Sequence, residues 1–296
     1  MKIGFIGIGQ MGQHMARNIQ LAGYDLVVHD NNKYAAAFLL AKGAVWAGTP
    51  KGVAESCHIV ITCLPNPRSV EQVVLGANGL KAAWKSEDIY IDMSTNSPHI
   101  IRQIAKDASE MGVKVLDAPV SGGVRGAEAG TLTIMVGGEA AALESARKVL
   151  EAMGRGIIHV GDIGCGNVAK LVNNLIGLAC NSATAEGFVL GVKAGVKPEA
   201  LYDIISISTG NNWSLQQYPN TVFQGNFEPG FKINLAYKDI GLALALGDEY
   251  GVPLSVGKLV KKDLEEAIAA GRNEKGVDAV ILNIEKAAGI EVRKSK

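Results

Sequence analysis

Lys2-Ile3-Gly4-Phe5-Ile6-Gly7-Ile8-Gly9-Gln10-Met11-Gly12 is the stretch on which the fold turns. Lys2–Ile6 is a short apolar run of strand type, and Met11–Ala22 has helical periodicity. A Gly-x-Gly-x-x-Gly turn joining a strand to a helix is the fingerprint of a dinucleotide-binding loop. Each glycine has a physical task there. Gly7 allows the tight turn, Gly9 lets the backbone approach a pyrophosphate, and Gly12 lets helix and strand pack closely. The helix N-terminus then offers free N–H groups and the positive end of its dipole to the phosphates, and Ile8, Gln10 and Met11 are cofactor-binding candidates with the three glycines. Asp30 ends the next strand, 18 residues after Gly12. A carboxylate there accepts from adenosine ribose hydroxyls and repels a 2′-phosphate, and residue 31 is Asn rather than an arginine that would pair with one. The reading is NAD in preference to NADP.

Outward from this loop, apolar runs alternate with helical patterns. The runs are Lys2–Ile6, Asp25–His29, His58–Leu64, Ile89–Met93 and Val113–Leu116; helical periodicity marks Met11–Ala22, Lys33–Lys42 and His99–Met111. Near-continuous apolar strands separated by helices indicate a parallel sheet covered on both faces. Leu132–Val136 and Gly156–Val160 flank a helix over Ala141–Met153 and would extend that sheet.

The pattern changes after Gly164. Asn167–Ala194 contains no proline and reads as one helix, roughly 40 Å long at ~1.5 Å per residue. Pro198–Ile207, Leu235–Tyr250, Leu254–Ala270 and Val277–Lys286 are further helices, and no strand pattern returns. The expected fold class is thus α/β, a Rossmann-type N-terminal domain over 1–163, followed by an all-α domain over 164–296. Val292–Lys296 is basic and is expected to fray.

Bulk properties narrow the function classes. Lys plus Arg and Asp plus Glu both total 29, so no net charge favours nucleic acid or an anionic membrane. Cys57, Cys63, Cys165 and Cys180 have neither CxxC spacing nor a nearby histidine, so no metal site is expected. They are read as reduced thiols of a cytoplasmic protein, with Cys63 buried. No signal peptide and no transmembrane helix are expected, because glycines interrupt the first apolar run and no run reaches ~18 residues.

Further candidates lie in later loops. Leu64-Pro65-Asn66 and Ser94-Thr95 follow strands, at the edge where nucleotides bind in such sheets; turn chemistry alone explains the same residues. Ser121-Gly122-Gly123 offers a hydroxyl and accessible N–H groups for a carboxylate, or is a plain surface turn. Lys170 and Asn174 share one helix face. A lysine there either snorkels along apolar surface or stands in a cleft for proton transfer. Arg125 is either a surface arginine or the partner of a second anionic group. Asn211-Asn212-Trp213 either lines a pocket or packs between domains.

Taken together, these motifs resemble the β-hydroxyacid dehydrogenase family, the group of 3-hydroxyisobutyrate dehydrogenase and tartronate semialdehyde reductase. The resemblance spans essentially the whole chain. It is carried by GFIGIGQMG at 4–12, DAPVSGG at 117–123, GAEAGTLTIMVGG at 126–138, GCGNVAKLVNN at 164–174 and KD at 238–239. The stretch 117–138 and the lysine helix are similar to the 2-(hydroxymethyl)glutarate dehydrogenase branch. The resemblance implies a Rossmann-type domain, a C-terminal domain like that of 6-phosphogluconate dehydrogenase, and an active site between them. It implies Lys170 as catalytic acid/base and Asn174 as a substrate-orienting group. Ser121, Gly122 and Gly123 would bind the substrate carboxylate, Lys238 would lie beside the cofactor, and Asp239 and Phe231 would border the substrate. Leu64, Pro65, Asn66 and Thr95 would contact the nucleotide. The implied reaction interconverts a small 3-hydroxy carboxylate and its semialdehyde. Glyoxylate, succinic semialdehyde and tartronate semialdehyde are alternative substrates, and a non-catalytic NAD-binding sensor is the alternative from another class. Relatives imply a homodimer or homotetramer, and the all-round apolar Leu175–Leu190 suits a helix covered by its own domain or by a second subunit.

Overall fold

A computed structural model describes residues 1–294. The chain divides into two compact units, Met1–Lys170 and Leu171–Lys296.

The first unit contains every strand among the described residues: β1 Lys2–Ile6, β2 Asp25–His29, β3 Val45–Trp46, β4 Ile59–Thr62, β5 Ile89–Asp92, β6 Lys114–Asp117, β7 Val120–Ser121, β8 Leu132–Gly138 and β9 Gly154–Gly161. Between them lie α1 Gly12–Leu21, α2 Ala37–Leu40, α3 Pro50–Ser56, α4 Pro67–Leu75, α5 Pro98–Ser109, α6 Gly123–Ala129 and α7 Ala140–Glu151. The sheet order is β3-β2-β1-β4-β5-β6-β8-β7, with β9 beside β8. From β3 to β6 all pairs are parallel; β8 runs antiparallel to β6 and β7.

Strand alternation explains the apolar runs. Ile3, Phe5, Val28, Ile61, Ile91 and Leu116 enter one core cluster, while Ile6, Val27, Val60, Tyr90 and Val115 enter another. Both faces are covered, so both phases of the two-residue repeat are apolar. The register then levels the strand ends. Ile6 pairs with Thr62, Thr62 with Asp92, and Asp92 with Asp117, giving one row across four strands.

The second unit is helical. It contains most of α8 Cys165–Lys193, then α9 Pro198–Ser206, α10 Trp213–Gln217, α11 Ile233–Glu249, α12 Ser255–Ala269 and α13 Ile281–Ala288. By length and composition α8 would suffice to cross a membrane. Its buried stripe of Leu178, Ala185, Phe188 and Val189 belongs to the core of this unit, and Asn181 on the same stripe donates to the Val277 carbonyl at 3.1 Å.

Several expectations need correction. The Lys33–Lys42 helix is a 3₁₀ turn, Lys33–Ala36, followed by a single α turn. β3, β7, α3, α6 and α10 are too short to show a periodicity, and α4, whose buried Val70 and Val74 are one turn apart, was not expected. Cys63 is half-buried; Cys57 is the buried thiol, and burial pushes it up to about 11. Trp213 is 69% exposed and does not pack as a buried side chain. The C-terminus does not fray at Val292–Lys294. Val292 is buried and its N–H donates to Glu285, Arg293 pairs with the same carboxylate, and the Lys294 N–H donates to Phe223. Ser295 and Lys296 lie outside the described residues.

Candidate active site

Residues 7–12 form a tight loop at the end of β1. The Gly7 N–H donates to the His29 carbonyl at 3.0 Å, and Gly7 has φ +96°. A Cβ on Gly7 would overlap the Cys63 carbonyl oxygen, and one on Gly12 would overlap the Gly7 carbonyl oxygen. Gly9 is different. A Cβ there would meet nothing within 4 Å. The protein's own atoms therefore do not demand a glycine at 9, whereas a phosphate group approaching the backbone would. No side chain caps α1. An uncapped helix start beside an open glycine fits a dinucleotide pyrophosphate.

Asp30 has a local task that the spacing did not reveal. Its Oδ2 accepts from the Ile8 N–H at 2.7 Å and its Oδ1 from the Asn32 N–H at 2.8 Å. It holds the glycine loop and the turn after β2 together, and each oxygen keeps a lone pair for a ribose hydroxyl. In the next loop the Leu64 N–H donates to Ser94 Oγ at 2.8 Å. Asn66 caps α4 through its Oδ1, with Pro67 at the first helical position, so its side-chain oxygen is engaged locally. Pro65 is exposed and Thr95 half-buried.

Ser121 ends β7, which pairs with β8 through Val120–Ile134 and Ser121–Thr133. Gly122 and Gly123 have φ +130° and +61°, conformations that favour glycine. The turn is thus fixed at both ends. Arg125 is exposed on α6.

Lys170 is half-buried on α8, one turn before the buried Asn174. Asn174 Nδ2 donates to Asp239 Oδ2 at 2.6 Å, and Asn173 Nδ2 donates to Asn174 Oδ1 at 3.1 Å. Lys238 Nζ stands 2.9 Å from Asp239 Oδ1. Asn174, Lys238 and Asp239 therefore form one cluster in the second unit. Phe231 packs on that unit's core, and its carbonyl accepts from the Val277 N–H.

Sequence reasoning missed a buried polar group set in the first unit. Asp117, one residue past the expected Val113–Leu116 run, is the last residue of β6. Its Oδ1 accepts from the Gly164 N–H at 2.7 Å, and its Oδ2 from the Asn167 N–H at 2.6 Å and Nδ2 at 3.2 Å. Asn167 Oδ1 accepts from the Asn96 N–H at 2.7 Å. Asn96 Nδ2 donates to Asp92 Oδ2 at 2.9 Å, and Asp92 Oδ1 accepts from Thr62 Oγ1 and the Ser94 N–H. Burial raises the pKa of both aspartates, and their donors pull it partly back. The only available sequence signal was polar residues at the ends of apolar strands. Among the described residues no group of three His, Cys, Asp or Glu side chains is arranged to hold a metal.

Residues 2–161 match the family described as the NAD-binding domain of 6-phosphogluconate dehydrogenase. Residues 164–284 match the NAD-binding domain of NADP-dependent 3-hydroxyisobutyrate dehydrogenase. The chain belongs to the β-hydroxyacid dehydrogenase family. Among its relatives is 2-(hydroxymethyl)glutarate dehydrogenase of Eubacterium barkeri, 42% identical over 294 residues, covering 99% of this chain and 97% of the relative. The 3-hydroxyisobutyrate dehydrogenase of Pseudomonas aeruginosa is 38% identical over 283 residues, covering 93% and 95%. The solved 3-hydroxyisobutyrate dehydrogenase of Mycobacterium tuberculosis with L-serine superposes with a TM-score of 0.88 at 34% identity, covering 96% of this chain and 98% of that one. As a β-hydroxyacid dehydrogenase, the protein is an NAD(P)-linked oxidoreductase acting on hydroxy acids and their semialdehydes.

Proposed function

We propose that this dehydrogenase uses NAD(H) to interconvert a small 3-hydroxy carboxylate and its semialdehyde, with Lys170 transferring the proton. The observation that carries the reading is the lysine's place on α8. Lys170 stands one turn before Asn174, whose carboxamide is oriented by its bond to Asp239. Asn174 thereby keeps one amide N–H and one oxygen lone pair for a substrate.

The bound dinucleotide supplies the hydride chemistry. The chain's residues supply binding, orientation and the proton. Gly7–Gly12 hold the pyrophosphate at the start of α1. The loops at Leu64–Asn66 and Thr95 border the nucleotide, and in the helical unit Lys238 is the proposed cofactor contact. Ser121 Oγ and the Gly122 and Gly123 N–H groups hold the substrate carboxylate. Within the helical unit, Asp239 and Phe231 are the proposed substrate contacts. In oxidation the C3 hydroxyl gives its proton to the Lys170 amine as hydride leaves C3. In reduction the Lys170 ammonium returns a proton to the forming alkoxide.

Asp30 supports NAD over NADP. Its carboxylate sits at the end of β2, with an exposed Asn at 31, and would repel a 2′-phosphate. The outer face of α8 supports a homodimer or homotetramer: Ile176 and Leu190 are 58% and 71% exposed, and Val172 is exposed with them. Four free cysteines support a cytoplasmic setting.

The test is reduction of NAD⁺ and NADP⁺ with 3-hydroxyisobutyrate, glycerate, 4-hydroxybutyrate, 3-hydroxypropionate and 2-(hydroxymethyl)glutarate. One compound should be turned over with NAD⁺ well ahead of NADP⁺. Lys170→Ala should lower turnover by a factor on the order of 10²–10⁴. Near-normal turnover in that variant would remove Lys170 from the chemistry. NADH binding with silence across the panel would favour an untested substrate or a non-catalytic role.

A further inference from the structure

α8 starts with no side chain at its cap position, and locally the Cys165 N–H donates to the Asp162 carbonyl at 2.9 Å. The residue before it is Gly164, which has no side chain and has φ +91°. A helix start leaves several N–H groups without intrahelical partners, and burial makes them costly to leave unpaired. Here Asp117 meets that need from 47 to 50 residues earlier in the chain. One oxygen takes the Gly164 N–H and the other takes the Asn167 N–H and carboxamide.

The fit leaves little freedom. A Cβ on Gly137 would overlap Asp117 Oδ1, and one on Gly166 would overlap the Asp117 and Met135 carbonyl oxygens. Asn167 is fully buried and uses both ends of its carboxamide, one on Asp117 and the other on the Asn96 N–H. Asn96 continues the chain to Asp92, and Asp92 through Ser94 to the Leu64 N–H. The bracket therefore ties the strand ends of β4, β5 and β6 to the first turn of α8. Lys170 follows Asn167 by three residues, about 4.5 Å along the axis at 1.5 Å per residue. Its amine ends a long flexible stem, so a small rotation of that first turn is magnified at the nitrogen.

We infer that Asp117 and Asn167 are positioning residues for the Lys170 amine: Asp117 caps the lysine helix from β6, and Asn167 locks its rotation against the Asp92–Asn96 arm. Neither touches substrate. The inference rests on Lys170 being the proton-transfer residue. Misplacing a reacting group by about 1 Å costs on the order of 10²-fold in rate.

The experiment is a double-mutant cycle with Asn167→Ala and Lys170→Ala in the full chain, using NAD⁺ and the panel member turned over fastest. Asn167→Ala keeps the backbone N–H to Asp117 and loses both carboxamide bonds. It should lower kcat roughly 10- to 100-fold, leave NADH binding by fluorescence within about twofold, and raise the solvent deuterium isotope effect on kcat. In the Lys170→Ala background its further effect on the residual rate should vanish, because residues acting through one group are not additive. Full additivity, or an unchanged kcat, would overturn the positioning role while leaving the lysine's role intact. Normal turnover in Lys170→Ala alone would overturn both. Should Asn167→Ala fail to fold, Asn167→Ser, which keeps a short hydroxyl there, takes its place in the same cycle.

Discussion

Two helix starts lie at the carboxyl edge of the same sheet, and they are built in opposite ways. α1 follows β1 through the glycine loop, has no side-chain cap, and has at Gly9 a direction in which nothing stands within 4 Å. α8 follows β9 through Asp162–Gly164 and is capped from β6 by Asp117, with both carboxylate oxygens engaged. One start leaves donors and space for a ligand; the other has closed both with its own atoms. The difference teaches how to tell a binding loop from a supporting one when both are rich in glycine. Gly137 and Gly166 are glycines because the protein fills the space around them. Gly9 is a glycine although the protein leaves its space empty.

The comparison is most exposed to failure at Gly12. Its missing Cβ would overlap the Gly7 carbonyl oxygen, which is backbone and cannot swing aside as a side chain would. Gly12→Ala should cost about 3 kcal/mol, the upper end of overpacking in a tight core, read as a lower urea midpoint. A loss below about 0.5 kcal/mol would mean that the loop yields easily. Gly12 would then no longer count as a packing residue, and the contrast with Gly9 would dissolve.

How far this edge was legible in the sequence depended on the range of the interactions. Strands β1 and β2 were readable to the residue, because a run buried on both faces is apolar throughout and ends where glycine or polar residues begin. The glycine turn between β1 and α1 was readable from spacing, whereas the bonds of Asp30 to the Ile8 and Asn32 N–H groups were not. The short helix α3 left only its capping signal, Thr49-Pro50, and α4 left Asn66-Pro67 and the pair Val70 and Val74. Asp117 was seen as the head of a motif, and its capping of Gly164 was not. That bond depends on the register that puts Thr62, Asp92 and Asp117 in one row, and register across a parallel sheet is a property of the fold rather than of any local window. The same holds for the C-terminus, where a basic tail turned out to be tethered through Glu285.

The second unit sharpens the contrast with Asp117. Asp278, beside the second core, has burial as the main cause that raises its pKa from 3.8 to about 6, and a Thr221 hydroxyl bond only partly offsets it. Asp117 is also raised by burial, yet it has three N–H donors. A carboxyl with a raised folded pKa holds its proton more tightly in the fold. Its contribution is complete below about pH 4 and is lost as pH rises through about 6. Over that window the stability difference between wild type and Asp278→Asn should change by up to about 3 kcal/mol, with the wild type losing ground as pH rises. Urea unfolding of both proteins at pH 4, 5, 6 and 7 measures it, since the other carboxylates cancel in the difference. A flat difference would mean that water reaches Asp278 and that the sparse donor set carries no cost.

The smallest expected effect is also the most discriminating. A methyl group at Gly9 points into open space, and the backbone there lies outside the left-handed region that favours glycine. Gly9→Ala should therefore leave the urea midpoint within about 0.5 kcal/mol of wild type, as for a surface change. Its cost should fall on the ligand. NADH binding should weaken about 10- to 100-fold, or about 1.4–2.8 kcal/mol, because the methyl group occupies the approach of the pyrophosphate. kcat at saturating cofactor should change far less, since Lys170 and its bracket lie at other strand ends. Loss of stability instead of affinity would show that Gly9 is held by packing after all. Unchanged stability with unchanged affinity would move the pyrophosphate away from this loop, and with it the reason for leaving α1 uncapped. Gly12→Ala and Gly9→Ala, three residues apart, thus separate the two uses of glycine: the first should lower the stability of the fold, the second should keep that stability and weaken nucleotide binding.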